Sequence, residues 1–245
     1  MLDKVVNIKI SDPDRKKGLV LPKEISKDLA YLCGVIVGDG HISHRKTSKD
    51  YYFFVGGNPK DERGFYDNII KPLFRKVFGL NVHPKLQSNK STYCIEFCSK
   101  AFVRFLSEII RIPLGKKSGE VQIPGIFRNS EQLISNFIQG YADTDFCLTL
   151  KKRSKKVPYY PVIAGSSKSK KIILQVTNYL KDKGVSVSTQ IGKKVYDKRH
   201  GKIYQKNSLY LYGNRSLKRW MDLIGFRNPK QLKRFDLWEK RNKNK

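Results

Sequence analysis

The chain is poor in acid. Its 21 Asp and Glu residues stand against 50 Lys and Arg, a formal net charge of +29 over 245 residues. The shortage is uneven: residues 1–150 hold 23 basic and 16 acidic side chains, a net of +7, while residues 151–245 hold 27 and 5, a net of +22. Such an imbalance points to a polyanionic partner, because basic side chains that meet phosphates release condensed counterions. Long apolar runs are missing as well. Nothing approaches membrane length, and Lys4 and Lys9 interrupt the first residues, so neither a spanning helix nor a signal peptide is expected and the reading is intracellular. The four cysteines, Cys33, Cys94, Cys98 and Cys147, lack zinc-ligand spacing and no histidine pair accompanies them; they read as reduced thiols. The four histidines show no pairing that suggests a general base.

What is present is an apolar helical run that ends in an acid and a glycine, Leu32-Cys33-Gly34-Val35-Ile36-Val37-Gly38-Asp39-Gly40. A second version follows 145 − 39 = 106 residues later as Ile138-Gln139-Gly140-Tyr141-Ala142-Asp143-Thr144-Asp145-Phe146. Each copy places two small residues four apart on one helix face, Gly34 with Gly38 and Gly140 with Thr144. Small residues there let a second helix backbone come close, a packing mode best documented in membranes. Two such helices packed on each other bring Asp39 and Asp145 together. A helix C-terminus is already negative through its unpaired carbonyls, so two carboxylates there form a point suited to a divalent cation.

These motifs resemble those of the LAGLIDADG homing endonucleases, in which the acid at the second-to-last position, Asp39 and Asp145 here, is the metal-binding residue. The resemblance covers nearly the whole chain after about the first 20 residues. It implies a pseudo-symmetric monomer that makes a double-strand break in one long DNA site, cutting across the minor groove to leave short 3′ overhangs and serving the mobility of an intron or intervening sequence. It also implies a polar residue at the end of the second strand, matched by Asn58 and Ser166, and a lysine nearby, for which Lys60 and Lys168 are the candidates. Phe146 departs from the family's usual glycine, an expected disturbance of the second helix end that shifts Asp145. Val37 replaces an acid often found two residues before the metal-binding one. No Cys or Ser stands at residue 1 and no His-Asn pair closes the chain, so it does not look like a complete intein.

The expected fold is α+β, two αββαββα repeats, each with a curved antiparallel sheet; the resemblance implies that the two sheets together form a saddle for DNA. The segments read as an N-terminal arm (1–20) with a basic turn at Arg15-Lys16-Lys17-Gly18, a first repeat (21–111), a Pro/Gly-rich linker (112–128), a second repeat (129–227) and a basic C-terminal helix and tail (228–245). Ser26 is a plausible helix cap, Gly40 a left-handed helix stop, and Asn129 with Gln132 a capping box. Strands are expected at 41–46, 51–57, 82–87, 92–97, 146–152, 159–165, 185–196 and 203–212, with turns at 47–50, 88–91 and 198–201. Helices are expected from Asp61 to Gly79, from Lys100 to Ile110, from Lys168 to Lys183, from Arg215 to Leu223 and from Pro229 to Arg241.

Polar strand faces supply the candidate DNA contacts. In the first repeat these are Arg45, His83, Lys85 and Gln87, with Val82 and Leu86 on the opposite face. In the second they are Thr149, Lys151, Arg153, Ser186, Ser188, Gln190, Lys194, Lys206, Ser208 and Tyr210. An antiparallel sheet fits the major groove, where each base pair shows its own donor and acceptor pattern, and some contacts meet only phosphates. Phosphodiester hydrolysis needs an activated water, charge neutralisation at the phosphate and help for the leaving oxygen, all within reach of metals held by Asp39 and Asp145, with the carbonyls of Gly38 and Thr144 as further ligands. Mg²⁺ is the natural hard cation; Mn²⁺ substitutes, and Ca²⁺ binds without efficient cleavage. An intron RNA maturase and a non-cleaving DNA-binding regulator are the alternatives on the same scaffold.

Overall fold

The computed structural model describes residues 7–45, 50–88, 90–115, 119–153, 157–197 and 201–243. Residues 1–6 of the arm, residues 47–49 of the turn expected at 47–50 and residues 198–200 of the turn expected at 198–201 lie outside them. The rest of the arm is not extended: Ser11 caps a short helix α1 (Asp12–Lys16), after which Leu19 and Leu21 are buried and the Val20 amide donates to the Phe78 carbonyl.

The first repeat opens with α2 (Lys27–Asp39), capped by the Ser26 hydroxyl, which accepts from the Leu29 amide. Every residue from Leu29 to Val37 is buried, so this helix is covered on all sides rather than amphipathic. Strands β1 (Gly40–His44) and β2 (Tyr51–Gly57) follow. A helical run comprises α3 (Arg63–Phe65), a π segment (Tyr66–Ile70) and α4 (Lys71–Phe78), stopped by Gly79. Pro72 in the first turn of α4 has no amide hydrogen, and its ring needs room at the carbonyl four residues back; a widened turn just before it provides that room. Next come β3 (Lys85–Leu86), β4 (Tyr93–Cys98) and α5 (Lys100–Arg104), which runs on as a π segment (Phe105–Ile109). The strand expected over 82–87 is reduced to two residues. Its alternation fails at one point: Val82 is buried, but Leu86 is 39% exposed.

The second repeat has the same order: α6 (Glu131–Asp145), β5 (Phe146–Lys151), β6 (Tyr160–Ser167), α7 (Lys170–Asp182), β7 (Ser188–Asp197), β8 (Lys202–Tyr212) and α8 (Gly213–Leu223), with α9 (Pro229–Lys243) added at the end. The cap of α6 is Ser130, whose extended backbone lets its hydroxyl accept from the Leu133 amide; Asn129 does not cap it. Each repeat forms one antiparallel sheet, ordered β1-β2-β4-β3 and β5-β6-β8-β7. The fold is thus α+β, two αββαββα units of matching topology.

One core runs through both units. In the first sheet Phe53 and Phe97 point toward the helices and pack on Phe102, with Phe53 also on Phe74. In the second, Phe146 packs on Tyr141 and Trp220. The segment between the repeats is held down: Val121, Ile123 and Phe127 are buried, Ser169 donates to the Val121 carbonyl, and the Ile123 amide donates to Gln175. No described helix is long and apolar enough to cross a membrane.

Candidate active site and interface

Helices α2 and α6 meet along their small residues. A methyl group on Gly34 would overlap the Phe137 carbonyl oxygen, and one on Gly140 would overlap the Tyr31 carbonyl oxygen. The two backbones are therefore in direct contact, which no larger residue permits. One turn further on, a methyl on Gly38 would overlap the Thr144 hydroxyl and lie 3.6 Å from the carboxyl carbon of Asp145. The contact thus runs to the C-terminal ends of both helices, where Asp39 and Asp145 are the last residues and both are half-buried. Thr144 turns its hydroxyl back to the Tyr141 carbonyl at 2.9 Å.

Both helices end in the same way. Gly40 has φ −83°, ψ 162° and Phe146 has φ −107°, ψ 161°; each donates its amide to the carbonyl four residues earlier and enters a strand at once. Gly40 is therefore extended, not left-handed. Phe146 does not disturb the ending either. Gly40 pairs with Val55 in the first sheet and Phe146 with Gly165 in the second, and a methyl on Gly165 would overlap the Phe146 ring. The large and small partners have exchanged strands, so the cross-strand volume is kept.

Two buried phenols lie near the acids. Burial first, and then the Asp39 carboxylate, raises the Tyr66 hydroxyl well above its ordinary pKa; burial and then Asp145 do the same to Tyr141. Asn58 follows the end of β2, and its side-chain oxygen accepts from the Lys60 amide at 2.9 Å. Ser166 lies in β6 opposite Ser208. The Lys60 side chain is exposed, and Lys168 reaches over the Tyr204 ring at 4.6 Å. The donors gathered at the helix ends are carboxylates and carbonyls, a hard oxygen set that fits Mg²⁺ or Ca²⁺. Among the described residues no group of three His, Cys, Asp or Glu is placed to hold a metal ion, so waters or a phosphate would complete the shell.

The sequence reading missed the acid that holds this region together. Asp143, fully buried, accepts from the Tyr31 hydroxyl at 2.5 Å, from the Arg227 amide at 3.0 Å and from the Asn228 amide at 3.1 Å. Burial nevertheless raises its pKa to about 6, against the lowering effect of those donors. The Asn228 side chain donates to the Asp143 carbonyl at 2.9 Å and to Glu62 at 3.4 Å, and Glu62 accepts the Asn58 amide at 2.8 Å. The segment before α9 thereby ties the second motif helix to the end of β2 in the first repeat. Arg227 lies over the Tyr31 ring at 4.3 Å and bonds Gln139 at 3.0 Å. The available signal was the broken repeat, a carboxylate at 143 where the first copy has Val37.

Each sheet has one face turned away from the helices. In the second sheet this open face carries Thr149 and Lys151 on β5, Tyr160 and Ser166 on β6, Lys206, Ser208 and Tyr210 on β8, and Ser188 and Gln190 on β7. Two expectations fail here. A bulge shifts the register between Gln190 and Lys193, with Gly192 at φ +71° and its amide on the Asn207 side chain. Lys193 therefore pairs with Lys206 on the open face, and Lys194 turns to the other side with Gln205. Ser186 precedes β7 and lines a cavity of about 670 Å³ with Lys183, Arg215, Lys218 and Arg219. In the first sheet Lys85 pairs with Cys94, whereas His83 and Gln87 flank the short β3. An arginine stacks on a tyrosine at matching points of both sheets, Arg45 on Tyr52 at 3.8 Å and Arg153 on Tyr160 at 3.9 Å.

Paired helices between two four-stranded sheets, with an acid at each helix end, define a two-repeat architecture that known structures share. A variant of I-DmoI in complex with its target DNA, nicked in the coding strand and in the presence of manganese, superimposes with a TM-score of 0.56 at 17% identity, over 81% of this chain and 95% of that one. I-DmoI in complex with DNA and calcium gives 0.53 at 16%, over 81% and 88%; a variant of I-SmaMI gives 0.53 at 13%, over 88% and 90%. I-DmoI is described as a homing endonuclease. At these identities the likeness shows the fold. No family model matches the chain. Among curated proteins of Methanocaldococcus jannaschii, the chain is 29% identical over 132 residues to the uncharacterized protein MJ0398, 52% of this chain and 41% of that protein. It is 28% identical over 211 residues to a probable translation initiation factor IF-2, 84% of this chain but 16% of the factor. It is 26% identical over 124 residues to a glutamine–fructose-6-phosphate aminotransferase, 51% of this chain and 10% of the enzyme. The chain spans less than half the length of each of these relatives.

Proposed function

We propose that the chain is a site-specific DNA endonuclease of the LAGLIDADG homing type, which cuts both strands of a long duplex site. The observation that carries this reading is the contact of α2 and α6 along Gly34, Gly38, Gly140 and Thr144, which ends at Asp39 and Asp145 with an open sheet face on either side. Those two acids hold divalent metal, Mg²⁺ in the ordinary case, and the carbonyls of Gly38 and Thr144 add oxygen to the shell. When bound, such a cation lowers the pKa of its water and neutralises charge on the phosphate. Asn58 and Ser166 orient water beside the two acids, and Lys60 and Lys168 supply positive charge toward the phosphates. The open faces grip the duplex, with Lys85, Thr149, Lys151, Ser188, Gln190, Lys206 and Tyr210 toward base edges and Arg45 and Arg153 toward the backbone; Ser208, expected among the contacts, is buried and reaches no base.

The fold's occurrence in I-DmoI structures with target DNA, manganese and calcium supports this reading. So do the curated relatives. The chain resembles a minor part of an initiation factor and a minor part of an aminotransferase, whose activities have nothing in common. A module shared in that way fits an insertion, which suits a mobile element. The chain acts as a monomer, because both acids belong to one polypeptide. The test is incubation of a randomised duplex library with magnesium and sequencing of the cut ends. A single long consensus with short 3′ overhangs is expected. Tight binding of structured intron RNA with every duplex left intact would replace this reading with an RNA maturase.

A further inference from the structure

The two open faces differ in chemistry, and Glu96 is where they differ most. It lies on β4, an inner strand of the first sheet, opposite Phe54. Phe53 and Phe97, its neighbours in the register, face the helices, so Glu96 is on the open side. The matching position in the second sheet is Tyr212, opposite Val162. A carboxylate on a surface that meets phosphates is repelled unless donors receive it. Two donors of the protein already do: the Tyr52 hydroxyl bonds one oxygen at 2.5 Å, and the Lys85 ammonium lies 3.2 Å from the other. The Tyr52 bond first, and Lys85 as well, hold the carboxyl below its usual range, so it is ionised at neutral pH. An ionised carboxylate offers about four acceptor positions, so two anchors leave capacity unused. The side chain remains 26% exposed and borders a recess of about 420 Å³ shared with Lys85, Leu86, Gln87 and Ser88.

Resting on the DNA-binding reading, we propose that Glu96 is a specificity-determining residue of the first repeat, whose carboxylate accepts a hydrogen bond from the exocyclic amine of a cytosine in the major groove. In the major groove the C4 amine of cytosine is the donor matched to a carboxylate; adenine offers an amine as well but sets the N7 acceptor beside it, and guanine and thymine present acceptors there. A guanine at that position faces the carboxylate with its own O6 and N7, and the contact is repulsive. Tyr52 and Lys85 fix the direction of the carboxylate, and Tyr52 is a positioning residue. The half-site under the first repeat therefore demands cytosine at one position, and Tyr212 leaves the counterpart position under the second repeat without that demand.

The experiment is selection of bound duplexes from a randomised library with calcium in place of magnesium, for the wild type, Glu96→Gln and Tyr52→Phe. Glutamine keeps the volume and still accepts from Tyr52, so folding is preserved, which circular dichroism checks. The wild type should favour cytosine at one position of one half-site by about 5- to 150-fold. Glu96→Gln should move that position toward adenine, whose N6 and N7 suit an amide, with all other positions unchanged. Tyr52→Phe should narrow the cytosine preference at the same position only. Identical preferences in the wild type and Glu96→Gln would overturn the assignment while leaving the DNA reading intact. Failure of the wild type to enrich any duplex would overturn the DNA reading, and the assignment with it.

Discussion

Asp143 has a proton equilibrium that can be read from outside. Its pKa is raised to about 6 by burial, against roughly 3.9 for an unperturbed Asp. Between those values the folded protein binds a proton that the unfolded chain has lost. This group's contribution to stability is therefore full below the unfolded pKa and is lost as pH rises through about 6. Asparagine at 143 removes the effect. The stability of the wild type relative to Asp143→Asn, from urea unfolding, should be more favourable at pH 4.5 than at pH 7 by about 2 kcal/mol. Equal differences at both pH values would mean that Asp143 titrates normally. Asp143 was illegible as a site because its partners are amides 84 and 85 residues away. Sequence periodicity places a side chain on a helix face but does not say which distant main chain meets it. Asp39 and Asp145 were legible for the opposite reason: the pattern that brings them together is local and repeated.

Among the elements, the helix seam and the strand pairs obey steric rules, and each carries its own prediction. Gly34→Ala or Gly140→Ala drives a methyl into a facing carbonyl, which cannot retreat without unseating its helix. Each should cost about 1–3 kcal/mol of stability by thermal or chemical unfolding. An unchanged midpoint would show that the helices are not in backbone contact. The exchanged pair gives a second test. Phe146→Gly empties a filled site and should cost about 3–5 kcal/mol, the usual range for loss of a buried aromatic. Gly165→Val clashes with the Phe146 ring when made alone, but with Phe146→Gly it restores the first repeat's own Gly40–Val55 pairing. The double variant should thus be more stable than the sum of the single changes predicts, whereas strict additivity would refute the compensation. Element order and the second sheet's strands were readable because hydrophobic periodicity and turn chemistry agree along the chain. The bulge between Gln190 and Lys193 was not, because one extra residue reverses every following side chain without altering the alternation pattern that sequence shows. The error at Lys194 comes from that reversal alone.

At the scale of the molecule, basic charge is concentrated in residues 151–245, with 27 basic against 5 acidic side chains. Binding to a cognate duplex should weaken steeply with salt. Six to ten neutralised phosphates correspond to a loss of about 10³ to 10⁵ in affinity between 50 and 200 mM salt, which fluorescence anisotropy would measure; a flat response would contradict the groove model. The central claim is narrower still: Asp39 and Asp145, at two abutting helix ends, hold metal for cleavage of the two strands. Replacing either acid by Asn keeps its volume and removes a charge that repels phosphate when no cation is present. The most direct measurement is strand-resolved cleavage of an end-labelled cognate duplex in magnesium by the wild type, Asp39→Asn and Asp145→Asn. The account predicts that both variants still bind the duplex, and that each fails to cut or nicks a single strand. Full double-strand cleavage by either variant would contradict it and leave that helix a packing element without a catalytic end.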